Sequence, residues 1–350
     1  MNQDVVMAPI VSPAKEADRR DWDAYLDSKP RIAPFAAYGW AEVLRQCYSV
    51  EPMLLAARGP HGGISGVLLA YMRNRGAGRG ILYSPPFGLV SDDAAAARAL
   101  LDAARDFAAA KGVTRTVISS GEQSISTPYH SWTKTTLIKA LPGREEEAWD
   151  GLRKKSRYTI RRASASGIEI RQGFEHLRGF YDAYQSRMSE KCLALHSFSF
   201  FERMTAMLGD RAALYVAMAG GRVLGGMIFF LGRDVAAYEY NAALTDAMPL
   251  GVNHLLMWEA IRDFIRRGIR HLDLGESSPG GGVHEFKTLQ FGGEPRDVFY
   301  YDVIRRAGAP QAGPPPMPLT YKITNRLIPY LPARWRRPWL LSRKRLERLI

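Results

Sequence analysis

The chain has 350 residues, of which 46% are hydrophobic and 24% charged. That is enough apolar material to fill the cores of two ordinary domains, which excludes a disordered tail protein. The formal net charge of +13 is informative once located. Six basic residues and no acid fall between 153 and 162, and nine basic residues against Glu347 alone fall between 321 and 350. The remainder is close to neutral, so the basicity is two local patches, which imply phosphates or an anionic membrane surface as partners.

The opening stretch, MNQDVVMAPIVSPAKEADRR, carries Asp4 where an export signal would be positive and has no sustained apolar core, so no signal peptide is expected. The longest apolar run, residues 223–231, is far short of the roughly 20 residues that cross a bilayer. Two cysteines, Cys47 and Cys192, form no C-x-x-C motif, and seven histidines show no ligand spacing. The expectation is a cytoplasmic protein with no metal and no permanently bound cofactor.

Along the chain, MLLAARGPHGGISGVLLAYM reads as strand, glycine turn, strand, with Gly62 and Gly66 four apart. Residues 81–90, ILYSPPFGLV, add a strand and proline turn. A helix over about 91–112 follows, begun by Ser91, Asp92 and Asp93 and stopped at Gly112, and then the strand VTRTVIS. The same series recurs. LYVAMAGGRVLGGMIFFL repeats the hairpin with Gly221 and Gly225, and a helix from about Asn253 ends at Gly268 before IRHLDLG. The offset is 159 residues at the hairpin glycines and 156 at the helix ends. A duplication of that length predicts two mixed α/β sheets, one over 20–145 and one over 146–305. The Pro- and Gly-rich stretch 306–320 reads as a linker to a basic tail over 321–350.

Two segments stand out for charge. Residues 149–163 predict an amphipathic helix, with Trp149, Leu152, Ser156, Ile160 and Ala163 near one face and Arg153, Lys154, Arg157, Arg161 and Arg162 largely outside it. Without acids to offset the repulsion, these cations are expected to bind phosphate, Arg by a two-bond fork and Lys as a point charge. The tail interleaves Trp335, Trp339, Leu340, Leu341, Leu346 and Ile350 with Arg and Lys. That composition serves equally an interfacial membrane helix, holding the protein at the inner face of the membrane, or a tail packed on the domains.

Three stretches resemble a known family. KKSRYTIRRASASGIEI (154–170), LGESSPGGGVHEFKTLQFGGEP (274–295) and ILYSPPFGLV (81–90) are similar to segments of the Fem family, whose members carry two GNAT acyltransferase domains in tandem. Fem proteins transfer amino acids from aminoacyl-tRNA to peptidoglycan precursors, and relatives occur with exopolysaccharide genes. The resemblance therefore implies tandem duplicated GNAT domains, the second carrying the active site, and amide formation on a cell-envelope or polysaccharide precursor. The sequence lacks the long charged helical arm of some Fem proteins, and PLGVNHLLMW offers only Gly251 where GNAT enzymes place a glycine-rich acetyl-CoA loop. Both aminoacyl-tRNA and acyl-CoA stay open as donors, and a lipid- or nucleotide-linked saccharide as acceptor. A CoA-dependent N-acetyltransferase for an amino sugar or small amine, and a non-catalytic membrane-surface scaffold, are the alternatives.

Within the family motif, Lys287 is the expected catalytic cation, because amine attack on an ester or thioester creates an oxyanion. Gly280, Gly281 and Gly282 are expected to present backbone N–H groups to an anion. Asp273, Glu276, Glu239 and His284 lie near the same predicted strand ends as candidates to take the amine proton. Tyr238, Tyr240 and Asn241, on the preceding strand, are expected to line the cleft together.

Overall fold

The structure is a computed structural model that describes residues 9–48, 50–73, 80–121, 124–277, 280–306 and 340. The linker beyond 306 and the basic tail lie outside the described residues, except Leu340, which is buried. The chain divides into two compact units, residues 1–135 with 296–314 and residues 136–295 with 315–350.

The first unit opens with β1 (Ile10–Pro13), α1 (Arg19–Ser28) and α2 (Trp40–Tyr48). The expected hairpin is β2 (Glu51–Arg58) and β3 (Ile64–Arg73), followed by β4 (Gly80–Tyr83), β5 (Leu89–Ser91), α3 (Ala94–Ala110) and β6 (Val113–Gly121). Asp93 caps α3 as its spacing predicts, its side chain accepting from the Ala96 N–H at 2.8 Å. An apolar stripe of α3, Ala97, Leu100, Leu101, Ala104 and Ala108, packs on the sheet, where it joins Leu55, Leu68 and Ile118 in one core. Among the described pairings of this unit the strands are antiparallel save β4 with β6, which are parallel and are joined through β5 and α3.

The chain enters the second unit within β7 (Tyr129–Ala140). There follow α4 (Glu145–Asp150), α5 (Lys154–Ala165), β8 (Glu169–Gln172), α6 (Leu177–Glu190) and α7 (Phe198–Leu208). The second hairpin is β9 (Ala212–Ala219) and β10 (Arg222–Leu231), leading to β11 (Val235–Ala243), α8 (Val252–Arg266), β12 (His271–Asp273) and α9 (Gly282–Glu285). Here too one strand pair is parallel, β11 with β12, and α8 connects it. One face of the sheet packs on α8 through Phe229, Tyr215 and Phe264. The other carries an aromatic cluster from α6 and α7, in which Phe180, Phe200 and Phe201 are fully buried.

The repeat is visible at single-residue level. Each hairpin has a one-residue bulge just before its second glycine, at Ser65 ahead of Gly66 and at Leu224 ahead of Gly225. Each of those glycines is closely approached by a later strand, β5 for Gly66 and β11 for Gly225. A Cβ on Gly225 would lie 2.7 Å from the Ala242 carbonyl oxygen, and one on Gly66 would lie 3.3 Å from that of Val90.

The unit boundaries differ from the expected 145/146 and 305. Residues 136–145 belong to the second unit because β7 pairs with β12, His271 opposite Ala140. Residues 296–305 belong to the first because β13 (Glu294–Arg306) pairs with β6 and contributes Tyr301 and Val303 to that unit's core. A boundary drawn by simple duplication misses that each last strand is placed by its ladder partner rather than by its order in the repeat.

Candidate active site

The site is built where β11 and β12 part. They pair in parallel at Val235–His271, Ala236–Leu272 and Ala237–Asp273, and there the ladder stops, although β11 continues to Ala243. Leu274 turns instead to β7, its N–H bonding the Leu137 carbonyl at 2.8 Å, and Gly275 reverses the chain with φ +73°. Immediately past the parting point β11 bulges. Ile228 opposes Tyr240 and Phe229 opposes Tyr238, leaving Glu239 as the extra residue.

That bulge corrects the expected lining. Tyr238 and Tyr240 are two apart and would share a face of a regular strand, but the extra residue sends them to opposite faces. Tyr238 meets Phe229 on the α8 side. Tyr240 is buried against Phe200 and Phe201 of α7, with His196 edge-on to it, and so does not join the cleft. Asn241 returns to the α8 side, where its amide donates to Asn253 Oδ1 at 3.1 Å and ties the strand to the first turn of the helix.

Lys287 sits on a wide, π-type turn, Phe286–Gln290, that continues α9. The FGG sequence after it has a separate reason at each position. Phe291 is in the core, Gly292 adopts φ +72°, and a Cβ on Gly293 would lie 2.8 Å from Leu274 Cδ1. Lys287 is 5% exposed, and its Nζ donates to the Glu276 carbonyl at 2.9 Å and to the Gly275 carbonyl at 3.3 Å, 5.8 Å from the centre of the Tyr238 ring. Burial pushes the ammonium below its ordinary titration range, against the opposing pull of Asp273, Glu239 and Glu276. The same burial pushes the Tyr238 phenol up. Lys287 therefore also serves the fold, since it pins two carbonyls of the loop that follows β12.

The other expected residues have distinct places. Asp273 is buried and its Oδ1 accepts from Thr136 Oγ1 at 2.6 Å and from the Gly275 N–H at 2.8 Å, so it organises the loop that Lys287 closes. Glu276 meets Lys287 through its backbone carbonyl, with an exposed side chain. His284 Nδ1 lies 3.0 Å from Ser277 Oγ on the loop's far side. Of the three glycines, Gly280 has φ +77°, Gly281 caps the four-residue helix and Gly282 opens it, all exposed. Among the described residues no group of three or more His, Cys, Asp or Glu gathers to hold a metal.

The basic helix α5 reaches the same turn. Ser156 Oγ donates to the Gln290 carbonyl at 3.2 Å, and the Gln290 side chain is hydrogen-bonded to His254 of α8. Burial lowers the His254 pKa, Gln290 opposes this, and Lys155 and Arg162 add to the lowering. The cations are not uniformly unpaired, as the local sequence implies. Arg157 reaches back seven residues to Asp150 (3.5 Å), Arg161 covers the Trp149 ring at 5.3 Å, and Arg162 donates to the Pro249 carbonyl at 2.6 Å. Arg153, Lys154 and Lys155 are exposed at the helix start, next to Ser156.

The first unit has a cleft of about 240 Å³ at the start of α3, lined by Arg31, Phe87, Val90, Asp93 and Ile125 among others. Its Lys29 is paired with Asp92 beside it. In the second unit the buried Lys287 ammonium lies beside the two diverging parallel strands.

Residues 150–288, within the second unit, match the family model of the acetyltransferase (GNAT) domain. Over the whole chain the fold is similar to FemX, with a TM-score of 0.67 at 15% identity, covering 83% of this chain and 97% of that one. It is also similar to a tandem GNAT protein from the clavulanic acid biosynthesis pathway, with a TM-score of 0.52 at 16% identity, covering 87% and 100%. A third likeness is to the C-terminal domain of a putative lysylphosphatidylglycerol synthetase from Agrobacterium fabrum, with a TM-score of 0.53 at 10% identity, covering 82% and 91%. No curated protein matches the sequence. The tandem GNAT fold implied by the resemblance to the Fem family is thus the fold of the chain. Among the described residues no helix is long and apolar enough to cross a membrane.

Proposed function

We propose that the second unit forms an amide by moving an aminoacyl or acyl group from its carrier to an amine on a cell-envelope or polysaccharide precursor. The observation that carries this reading is the buried Lys287 ammonium, which has three N–H donors and gives two to the Glu276 and Gly275 carbonyls. The third is available to an oxygen entering beside Tyr238. When the amine nitrogen bonds to the carbonyl carbon, the carbonyl electron pair moves to oxygen, and Lys287 holds that charge in a site of low dielectric. The pair then returns, the bond to the carrier oxygen or sulfur breaks, and the amine proton leaves with the carrier. Such a transfer needs no strong protein base, and Asp273 and Lys287 serve as a fixed electrostatic frame. The cations opening α5 hold the phosphates of donor or acceptor.

The likeness to FemX and to a lysylphosphatidylglycerol synthetase domain supports aminoacyl transfer at the envelope. The acetyltransferase domain model supports acyl-CoA as a second reading of the donor. A panel of aminoacyl-tRNAs and acyl-CoAs offered with lipid- and nucleotide-linked precursors, read by mass spectrometry, separates them. Ribonuclease-sensitive acylation identifies the first donor class and CoA release the second. A folded chain that acylates no acceptor with either donor contradicts the proposal.

A further inference from the structure

The outer side of α5 carries a feature that phosphate binding does not use. Ser156, Ile160 and Ala163 are buried and define the inner face of the helix. At 3.6 residues per turn, Tyr158 lies directly opposite, with Lys154 and Arg161 on one flank and Lys155 and Arg162 on the other. Tyr158 is 64% exposed, an aromatic ring standing in the middle of a cationic face.

The apolar surface continues onto the turn that precedes α8. Arg162, one turn beyond Tyr158 on the same side, donates to the Pro249 carbonyl at 2.6 Å. The turn is held against the helix so closely that a Cβ on Gly251 would lie 2.6 Å from Thr159 Cγ2. On either side of Pro249, Met248 and Leu250 are 43% and 42% exposed. The nearest acid in sequence, Asp246, faces Arg222 at 3.6 Å. Three large apolar side chains thus stand out beside those cations of α5, and the acids at the edge of the turn, Asp246 and Glu190, each face an arginine, Arg222 and Arg187.

We infer that Tyr158, Met248 and Leu250, ringed by Lys154, Lys155, Arg161 and Arg162, dock the second unit on an anionic lipid surface. Isolated exposed hydrophobics are ordinary, but an aromatic and two aliphatic side chains grouped among cations match the chemistry of a headgroup region. The apolar groups enter the acyl boundary while the cations meet lipid phosphates, each adding to attraction that salt screens. A single-stranded nucleic acid would meet the same cations, yet it takes up exposed apolar surface by stacking bases on aromatic rings. Two of the three side chains here are aliphatic and offer no ring, which favours lipid. The surface stands independently of the chemistry assigned to Lys287, and it brings α5 to the plane in which a lipid-linked acceptor resides.

The test is co-sedimentation of the full chain with vesicles of phosphatidylcholine alone and of phosphatidylcholine with phosphatidylglycerol. The tail, residues 321–350, is left intact in every variant, so its contribution is common to all. The Tyr158→Ser, Met248→Ser, Leu250→Ser triple variant is expected to lose about tenfold or more in partition to the anionic vesicles. Arg161→Glu with Arg162→Glu is expected to erase the preference for anionic over neutral vesicles. If the turn does not tolerate serine, Tyr158→Ser alone carries the test with a fall of about threefold. Partition of the folded triple variant within about twofold of the parent overturns the inference. So does loss of RNA binding by that variant with vesicle binding unchanged, which would make the face a nucleic-acid surface.

Discussion

Replacing Asp273 by Asn separates its hydrogen bonds from its charge. The amide oxygen can still accept from Thr136 Oγ1 and the Gly275 N–H, which approach Asp273 at 2.6 and 2.8 Å. Each bond changes from charge-assisted to neutral, a loss of about 1 kcal/mol apiece, so Asp273→Asn should cost about 2 kcal/mol at neutral pH. The charge has a second effect. Asp273 is foremost among the groups that oppose the burial-driven fall of the Lys287 pKa, so its removal should lower that value further from 10.5. A lysine held below its unfolded value releases its proton on folding, and stability rises with pH from the point where the folded form starts to lose its proton up to about 10.5, where the unfolded form loses its own. Once Lys287 is neutral in both folded proteins the missing attraction no longer matters, so the stability gap should narrow as the pH rises from neutral toward 10.5. Urea unfolding across that range measures the gap, and NMR of ¹³Cε-labelled lysine, assigned through Lys287→Arg, follows the titration directly. A gap that widens with pH, or a Lys287 titration that rises or stays in place, refutes this electrostatic frame.

Gly251→Ala should destabilise the second unit by about 2 to 4 kcal/mol, combining a left-handed backbone with overpacking. Its φ is +85° and the new Cβ would stand 2.6 Å from Thr159 Cγ2, so an unchanged urea midpoint would contradict the close seating of α5. Tyr215→Phe removes the 2.6 Å bond from the buried hydroxyl to Asp263 and should lower stability by about 1 to 2 kcal/mol, read by thermal unfolding. Alanine at Arg153, Lys154 and Lys155 should weaken binding of a phosphate-bearing substrate and flatten its salt dependence. Binding and salt slope equal to the parent would leave those cations as solvated charges.

The repeat was legible because its marks are residues that cannot be exchanged freely. Gly66 and Gly225 each sit where a later strand comes close, and their 159-residue offset survives in plain sequence. The F-K-x-x-F-G-G segment was legible for the same reason, since Phe291, Gly292 and Gly293 each meet a separate steric demand. The side of the strand that each tyrosine faces was not legible. Glu239 has no turn or glycine chemistry to announce the bulge, and one extra residue reverses the alternation between Tyr238 and Tyr240. Nor was the placement of β13, whose partner is decided by a ladder with β6, far away in the chain. The structural share of Lys287 was hidden because the carbonyls it holds, Gly275 and Glu276, belong to the backbone and leave no trace in side-chain chemistry.

The most direct measurement is acyl-transfer turnover by Lys287→Ala, followed by mass spectrometry with the donor that the panel selects. Because Lys287 also pins the loop after β12, the comparison is made at a temperature where thermal unfolding shows the variant to be folded. Loss of the cation that faces the developing oxyanion should slow turnover by about a hundredfold or more, and Lys287→Arg should restore little because a planar fork places its charge elsewhere. A folded alanine variant that turns over near the parent rate would contradict the assignment of Lys287 as the catalytic cation.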